Sequence, residues 1–187
     1  PCPEGFLELA ARAAAELRES FASTLTNRAG VPRRRAGELI LRVLTYNING
    51  LPSEDENRHA RYAKAGRILA RLRQEGKAPH IVAIQEAFHP RTEELLAEAG
   101  YPFFRSGAPA TSDSPLRSGL YILSEFPIEA AATVDFRRCL GWDCWANKGV
   151  LHARIRGPGL PRAVEVYGTH MNADDRNDAD AAGKLRA

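Results

Sequence analysis

The chain has 187 residues, 44% of them hydrophobic and 26% charged, which suits one folded domain, or a large one left incomplete, rather than two full domains, and excludes wholesale disorder. Its 26 basic and 23 acidic side chains leave a formal charge of +3, too mild to argue by itself for a polyanionic partner. No apolar run approaches the roughly 18 residues of a membrane-spanning helix.

No basic-then-apolar leader opens the chain, and its natural start is expected upstream of Pro1, because the only methionine is Met171. Residues 6–22 put Phe6, Ala10, Ala13, Leu17 and Phe21 on one face, which predicts an amphipathic helix. Ser23 to Arg35 is polar, with Gly30 and Pro32 as breakers; the run Arg33-Arg34-Arg35 reads as a solvated basic loop or a contact for an anionic surface. Residues 1–38 are therefore expected to form a helix and basic linker ahead of residues 39–187, which are expected to be the N-terminal part of a domain.

Leu39 to Tyr46 is apolar on both faces, which predicts a strand in the middle of a covered sheet. A helix is predicted over 58–74, with Tyr62, Ala65, Ile68, Leu69 and Leu72 on its buried stripe and Gly76 near its end. Ile81 to Ile84 reads as a second buried strand and Arg91 to Ala99 as a short helix. Strands are predicted at 101–105, 118–124, 129–136, 148–156 and 163–169, with Pro127 and Gly157 to Pro161 at turns. A β-α-β-α start followed by successive, mainly antiparallel strands predicts a sheet sandwich with helices outside.

Three polar residues stand where buried strands run out: Asn47, Glu86 and His170. Strand alternation puts Glu86 on the face of Val82 and Ile84, and His170 on that of Val164, Val166 and Gly168. An ionisable group continuing an apolar face is costly unless it is paired or bound to a metal. Together the three suit phosphate-ester cleavage with a hard cation. Glu86 would anchor magnesium, Asn47 would offer a neutral oxygen, and His170 would hydrogen-bond the phosphoryl oxygens. Taken singly, each has an ordinary reading: a turn asparagine, a solvated strand-end glutamate, a structural histidine.

The segments LRVLTYNINGLP, IVAIQEAF, SGLYILSEFPI and VEVYGTHMNA, in that order, resemble the endonuclease/exonuclease/phosphatase family with its DNase I-like fold, from Leu41 to about Ala187. The resemblance implies a four-layered α/β sandwich, a magnesium site at Asn47 and Glu86, with Mn2+ or Co2+ as substitutes, and a phosphate-facing His170. The segment GWDCWANKGVLHARI, with THMNADD after it, is most similar to bacterial and neutral sphingomyelinases, which share an Asp and a Lys five residues apart. That match implies Asp143, Lys148 and Asn172 on the substrate side, a phospholipid at a membrane surface as substrate, and a secreted or periplasmic protein. Lys148 would approach phosphate as a point charge or stand at a strand edge in water. Trp142 and Trp145 would enter a lipid interface or pack in the core. Cys139 and Cys144 would form a local disulfide, as suits an exported protein, or remain free thiols.

The acids Asp174, Asp175, Asp178 and Asp180 lack the offsets of a calcium loop and read as a loop and a helix start. The family's later motifs, an Asp-x-Asn directly after a strand and a closing Asp-His pair, do not occur in this sequence. The chain is therefore expected to be a catalytically weak or inactive piece of a longer enzyme. A nuclease, a phosphoinositide phosphatase and a non-catalytic binding module are the alternatives.

Overall fold

The computed structural model describes residues 40–51, 56–136, 139 and 141–171, all within the compact unit Leu39–Ala187. The helix expected over 6–22, the arginine run, Asn172 and the acidic cluster lie outside the described residues. The elements are β1 (Val43–Asn47), α1 (Glu56–Gln74), β2 (Ile81–Gln85), α2 (Thr92–Ala99), β3 (Phe103–Ser106), β4 (Tyr121–Ser124), β5 (Ile128–Asp135), β6 (Gly149–Ile155) and β7 (Val164–Thr169). A short 3-10 turn at Gly141–Trp145 precedes β6.

Two sheets form. One has the order β1-β2-β4-β3, with β1 and β2 parallel and the other neighbours antiparallel; the second is antiparallel, with the order β5-β6-β7. Alternation along β2 and β4 explains how one sheet serves two cores. Val82, Ile84, Tyr121 and Leu123 face the helices and meet Tyr62, Leu69, Leu95 and Ala99. Ile81 and Ile122 point the other way and meet Leu151, Ala153 and Ile155 of β6. A helix layer and two face-packed sheets are thus in place, the arrangement of a DNase I-like α/β sandwich. The outer face of the second sheet carries a charge ladder, His152 to Glu165 and Arg154 to Glu129 and Glu165.

Three expectations need correction. β1 is not in mid-sheet: among the described residues it pairs with β2 alone, and Val43 is 59% exposed. Ile68 is off the buried stripe of α1 and exposed, because six residues carry it about 240° around the helix from Tyr62. The strand expected from 118 starts at Tyr121, because Gly119 adopts φ 69° and gives its carbonyl to Ala87 N–H instead of a ladder.

Candidate active site

β1 and β2 run parallel in register, Asn47 opposite Gln85, so both open at the same end of the sheet. The carboxyl ends of parallel strands are where α/β folds place ligands. Beyond Gln85 the chain leaves the strand: Glu86 takes φ 57°, a left-handed conformation unusual for a residue with a side chain. The alternation argument therefore stops one residue short of Glu86. Its carboxylate meets Asn47 rather than continuing the face of Val82 and Ile84: Asn47 Nδ2 donates to Glu86 Oε1 at 2.7 Å. Such strain, of order 1–3 kcal/mol, persists only where neighbours over-determine it. Here Ile48 N–H donates to Gln85 O at 3.0 Å and Gly50 N–H to Glu86 O at 3.1 Å.

The Asn47 amide is orientated by two opposite demands. Its oxygen accepts Asn49 N–H at 2.8 Å, closing an Asx-turn, and its NH2 faces the carboxylate. Asn49 sits at φ 51°, so Asn49-Gly50 is the turn its sequence suggested. Gly50 is required by close packing, since a Cβ there would overlap the Tyr62 hydroxyl and come within 2.6 Å of Glu86 O. Sequence reading missed two residues that hold this loop. Arg61 Nη1 donates to Ile48 O at 2.9 Å and Asn49 O at 3.2 Å, and Tyr62 OH donates to Gly50 O at 3.2 Å. The only advance signal was an arginine and a tyrosine side by side early in α1.

β7 delivers the third residue from the other sheet. His170 Nε2 lies 3.4 Å from Glu86 Oε1, so positions 47, 86 and 170 do meet. His170 Nδ1 is buried with no hydrogen-bond partner among the described residues. Burial holds the His170 pKa below its usual value, with Lys148 adding to the effect; Glu86 and Asp143 oppose it. The imidazole is therefore neutral at physiological pH.

Lys148 is neither in water nor pointed at open space. It is 6% exposed, with Nζ 2.6 Å from Asp143 Oδ1 and donating to Met171 O at 3.0 Å. The pair ties the 3-10 turn to the residue after His170, and Asp143 itself sits inside the loop closed by a Cys139–Cys144 disulfide. Asn147, another residue missed in the sequence, is buried and donates to Pro109 O at 2.9 Å, lacing this segment to the β3–β4 connection. Trp145 is 54% exposed.

The donor set suits a hard cation. Glu86 offers a carboxylate whose Oε2 no described residue bonds, and magnesium needs few protein oxygens because it keeps its waters; the Asn47 oxygen, expected to face the metal, is instead taken up by Asn49 N–H. No group of three or more His, Cys, Asp or Glu side chains among the described residues is placed to hold a metal, so a cage is absent there.

The description Endonuclease/Exonuclease/phosphatase family matches residues 44–182. The chain belongs to this family. Among solved structures it is similar to sphingomyelinase C from Streptomyces griseocarneus, with 27% identity and a TM-score of 0.60 over 77% of this chain and 53% of that one. It shares its fold with Staphylococcus aureus beta toxin carrying bound magnesium ions, at 22% identity and a TM-score of 0.62 over 76% of this chain and 53% of that one. A humanized D. rerio TDP2 has the same fold at 16% identity and a TM-score of 0.51, over 78% of this chain and 53% of that one. The chain spans about half the length of these structures. No curated protein matches it.

Proposed function

We propose that Asn47, Glu86 and His170 form the metal and phosphate side of a phosphodiester hydrolase whose substrate is sphingomyelin or a related phospholipid, split into phosphocholine and ceramide. The observation that carries this reading is their convergence from three strands and two sheets, with Glu86 strained into reach of both partners. Family membership and the likeness to a sphingomyelinase C support it.

Magnesium, when bound, supplies positive charge against a non-bridging phosphate oxygen. Glu86 would hold it, with Mn2+ or Co2+ able to substitute. Asn47 fixes the carboxylate through its NH2 group and keeps the β1 turn closed through its oxygen. His170, neutral, donates a hydrogen bond to the phosphoryl oxygens as charge builds there. Lys148 and Asp143 act one step back, holding the chain at Met171 and lowering the basicity of His170 through the ammonium. Asn172, which follows Met171 in sequence, is a further candidate for a substrate contact. Residues 39–187 would supply the N-terminal part of the catalytic domain. Exposed Trp145 suits contact with a bilayer surface, and the Cys139–Cys144 disulfide suits a secreted or periplasmic protein.

The test has two arms. Mn2+ titration of the chain, read by electron paramagnetic resonance, should show one site that Glu86→Gln weakens; unchanged binding in that variant would sink the metal assignment. A panel of sphingomyelin, phosphoinositides and plasmid DNA, with magnesium or chelator and the longer enzyme that this reading implies, should show magnesium-dependent release of phosphocholine alone. Cleavage of DNA without sphingomyelin would end the lipid reading. None of the three residues is assigned to activate water, so the metal arm stands even where turnover is low.

A further inference from the structure

A second cavity opens near the same end of the four-stranded sheet, outside the Asn47–Glu86–His170 cluster. It has a volume of about 280 Å3 and lies between the end of β3 and the segment leading into β4. Arg117 is the one charged residue lining it, and no carboxylate among the described residues pairs with that guanidinium. Arg117, an exposed residue at the cavity wall, donates from Nη1 to the hydroxyl of buried Tyr121 at 2.8 Å, which steadies the fork; its other N–H groups have no partner among the described residues. Ser118 is 2% exposed, and its Oγ accepts Leu120 N–H at 3.3 Å. The Ser118 hydroxyl proton then has no acceptor among the described residues, and a buried donor left unused is costly. Ser106 adds a second hydroxyl.

The cavity is built rather than slack. Gly107 N–H donates to Leu120 O at 2.8 Å and Ser118 N–H to Ala108 O at 3.0 Å, so the segment is braced on both sides. A Cβ on Gly107 would overlap Ser118 Oγ, so glycine keeps that hydroxyl in place. Ala87, next to Glu86, donates its N–H to Gly119 O at 2.9 Å, which couples this segment to the loop of the candidate active site.

A guanidinium fork and two hydroxyls, with no carboxylate among the lining residues, are complementary to a tetrahedral oxyanion. We propose that this cavity is a phosphate-binding pocket distinct from the catalytic cluster, holding a phosphate monoester or free phosphate through Arg117, Ser118 and Ser106. The proposal does not depend on the hydrolase reading. The phosphate could come from an anionic lipid headgroup or from solution, and the test separates the two.

Calorimetric titration of the chain with inorganic phosphate should show binding that Arg117→Ala weakens by at least about tenfold. Arg105→Ala, which removes the same charge from an exposed site on β3, should leave it unchanged, and Arg117→Lys should retain part of it. Circular dichroism melts check that each variant folds. Absence of phosphate binding, or an Arg117→Ala titration like that of the unaltered chain, overturns the proposal. Loss in His170→Ala alone also overturns it and assigns the ion to the catalytic cluster, leaving the hydrolase reading intact. Sedimentation with phosphatidylcholine vesicles, with and without phosphatidic acid, settles the source. A phosphatidic-acid-dependent gain that Arg117→Ala removes assigns the pocket to lipid; a gain unaffected by the variant, with weakened binding of inorganic phosphate, assigns it to the free ion.

Discussion

The two ends of the four-stranded sheet use similar residues to opposite effect. At the carboxyl ends of β1 and β2, Glu86 is held in a left-handed conformation and His170 Nδ1 has no partner among the described residues. At the other end the polar groups are saturated. Arg42 Nε donates to Ala78 O at 2.8 Å and Nη2 to Gly76 O at 3.3 Å, while Arg42 N–H meets His80 Nδ1 at 2.9 Å. Arg73 grips Glu125 with Nε at 2.7 Å and Nη2 at 3.3 Å, reaches Gly100 O, and lies 5.4 Å above the ring of Tyr101. Tyr101 in turn donates to Pro79 O at 2.7 Å, and burial, with Glu125 nearby, pushes its pKa to about 12, so the phenol keeps its proton. This satisfied end lines the larger cavity, about 450 Å3. The larger cavity and the proposed catalytic cluster therefore lie at opposite ends, and it is the cluster that carries the unmet hydrogen bonding and the backbone strain.

Substitutions at the two ends should separate cleanly. The largest effect is expected at the strained end, where Glu86→Gln and His170→Ala, made in the longer enzyme that the proposed function implies, should each lower its phosphodiester turnover by about 10²–10³. Their melting temperatures should change little, because both groups are only partly packed. Activity retained in either variant would remove the distinction between the ends. Arg73→Ala should do the reverse. It leaves Glu125 without its fork and frees Gly100 O, for a stability loss of about 1–3 kcal/mol in urea unfolding, with magnesium affinity per folded molecule unchanged. Gly50→Ala joins the two effects. Its methyl would collide with Tyr62 and Glu86 O, so a loss of about 1–3 kcal/mol should accompany weaker Mn2+ binding as Glu86 shifts.

Much of this contrast was legible in the sequence, and the remainder was hidden for definite reasons. The hydrophobic runs placed β1, the buried β2, the two described helices and the later strands to within a few residues, because alternation and the helical period act locally. The order of four segments pointed to the sandwich and to Asn47, Glu86 and His170. What sequence could not show was anything decided by a partner far along the chain. Lys148 read as a strand-edge lysine or a phosphate ligand, and only packing against Asp143 and Met171 O places it inside. Arg61 became part of the site because α1 passes beneath the β1 turn. The edge position of β1 among the described residues depends on which strands pair with it, not on its own apolar content. Glu86 defeated the alternation rule because the backbone changes hand where the strand ends.

The smallest expected effect probes the saturated end through pH. His80 Nδ1 accepts Arg42 N–H, which only the form unprotonated at that nitrogen can do. Burial lowers the His80 pKa first and Arg42 adds to this, while Glu125 pulls the other way. The folded chain therefore binds fewer protons at this site than the unfolded chain, whose histidines titrate near about 6.5. The stability contributed by a neutral His80 is fully present above that value and is lost as pH falls through the lower, folded value. Asparagine at this position keeps an oxygen acceptor near the place of Nδ1 and does not titrate. Urea unfolding of the chain and of His80→Asn, at about pH 8 and about pH 5, should show any advantage of histidine shrinking in acid. Comparing the variant with its parent cancels the other histidines, His170 included, which titrate in both proteins. A gap that stays constant or widens toward acid would mean that His80 carries its proton in the fold, and that this end is less saturated than its contacts indicate.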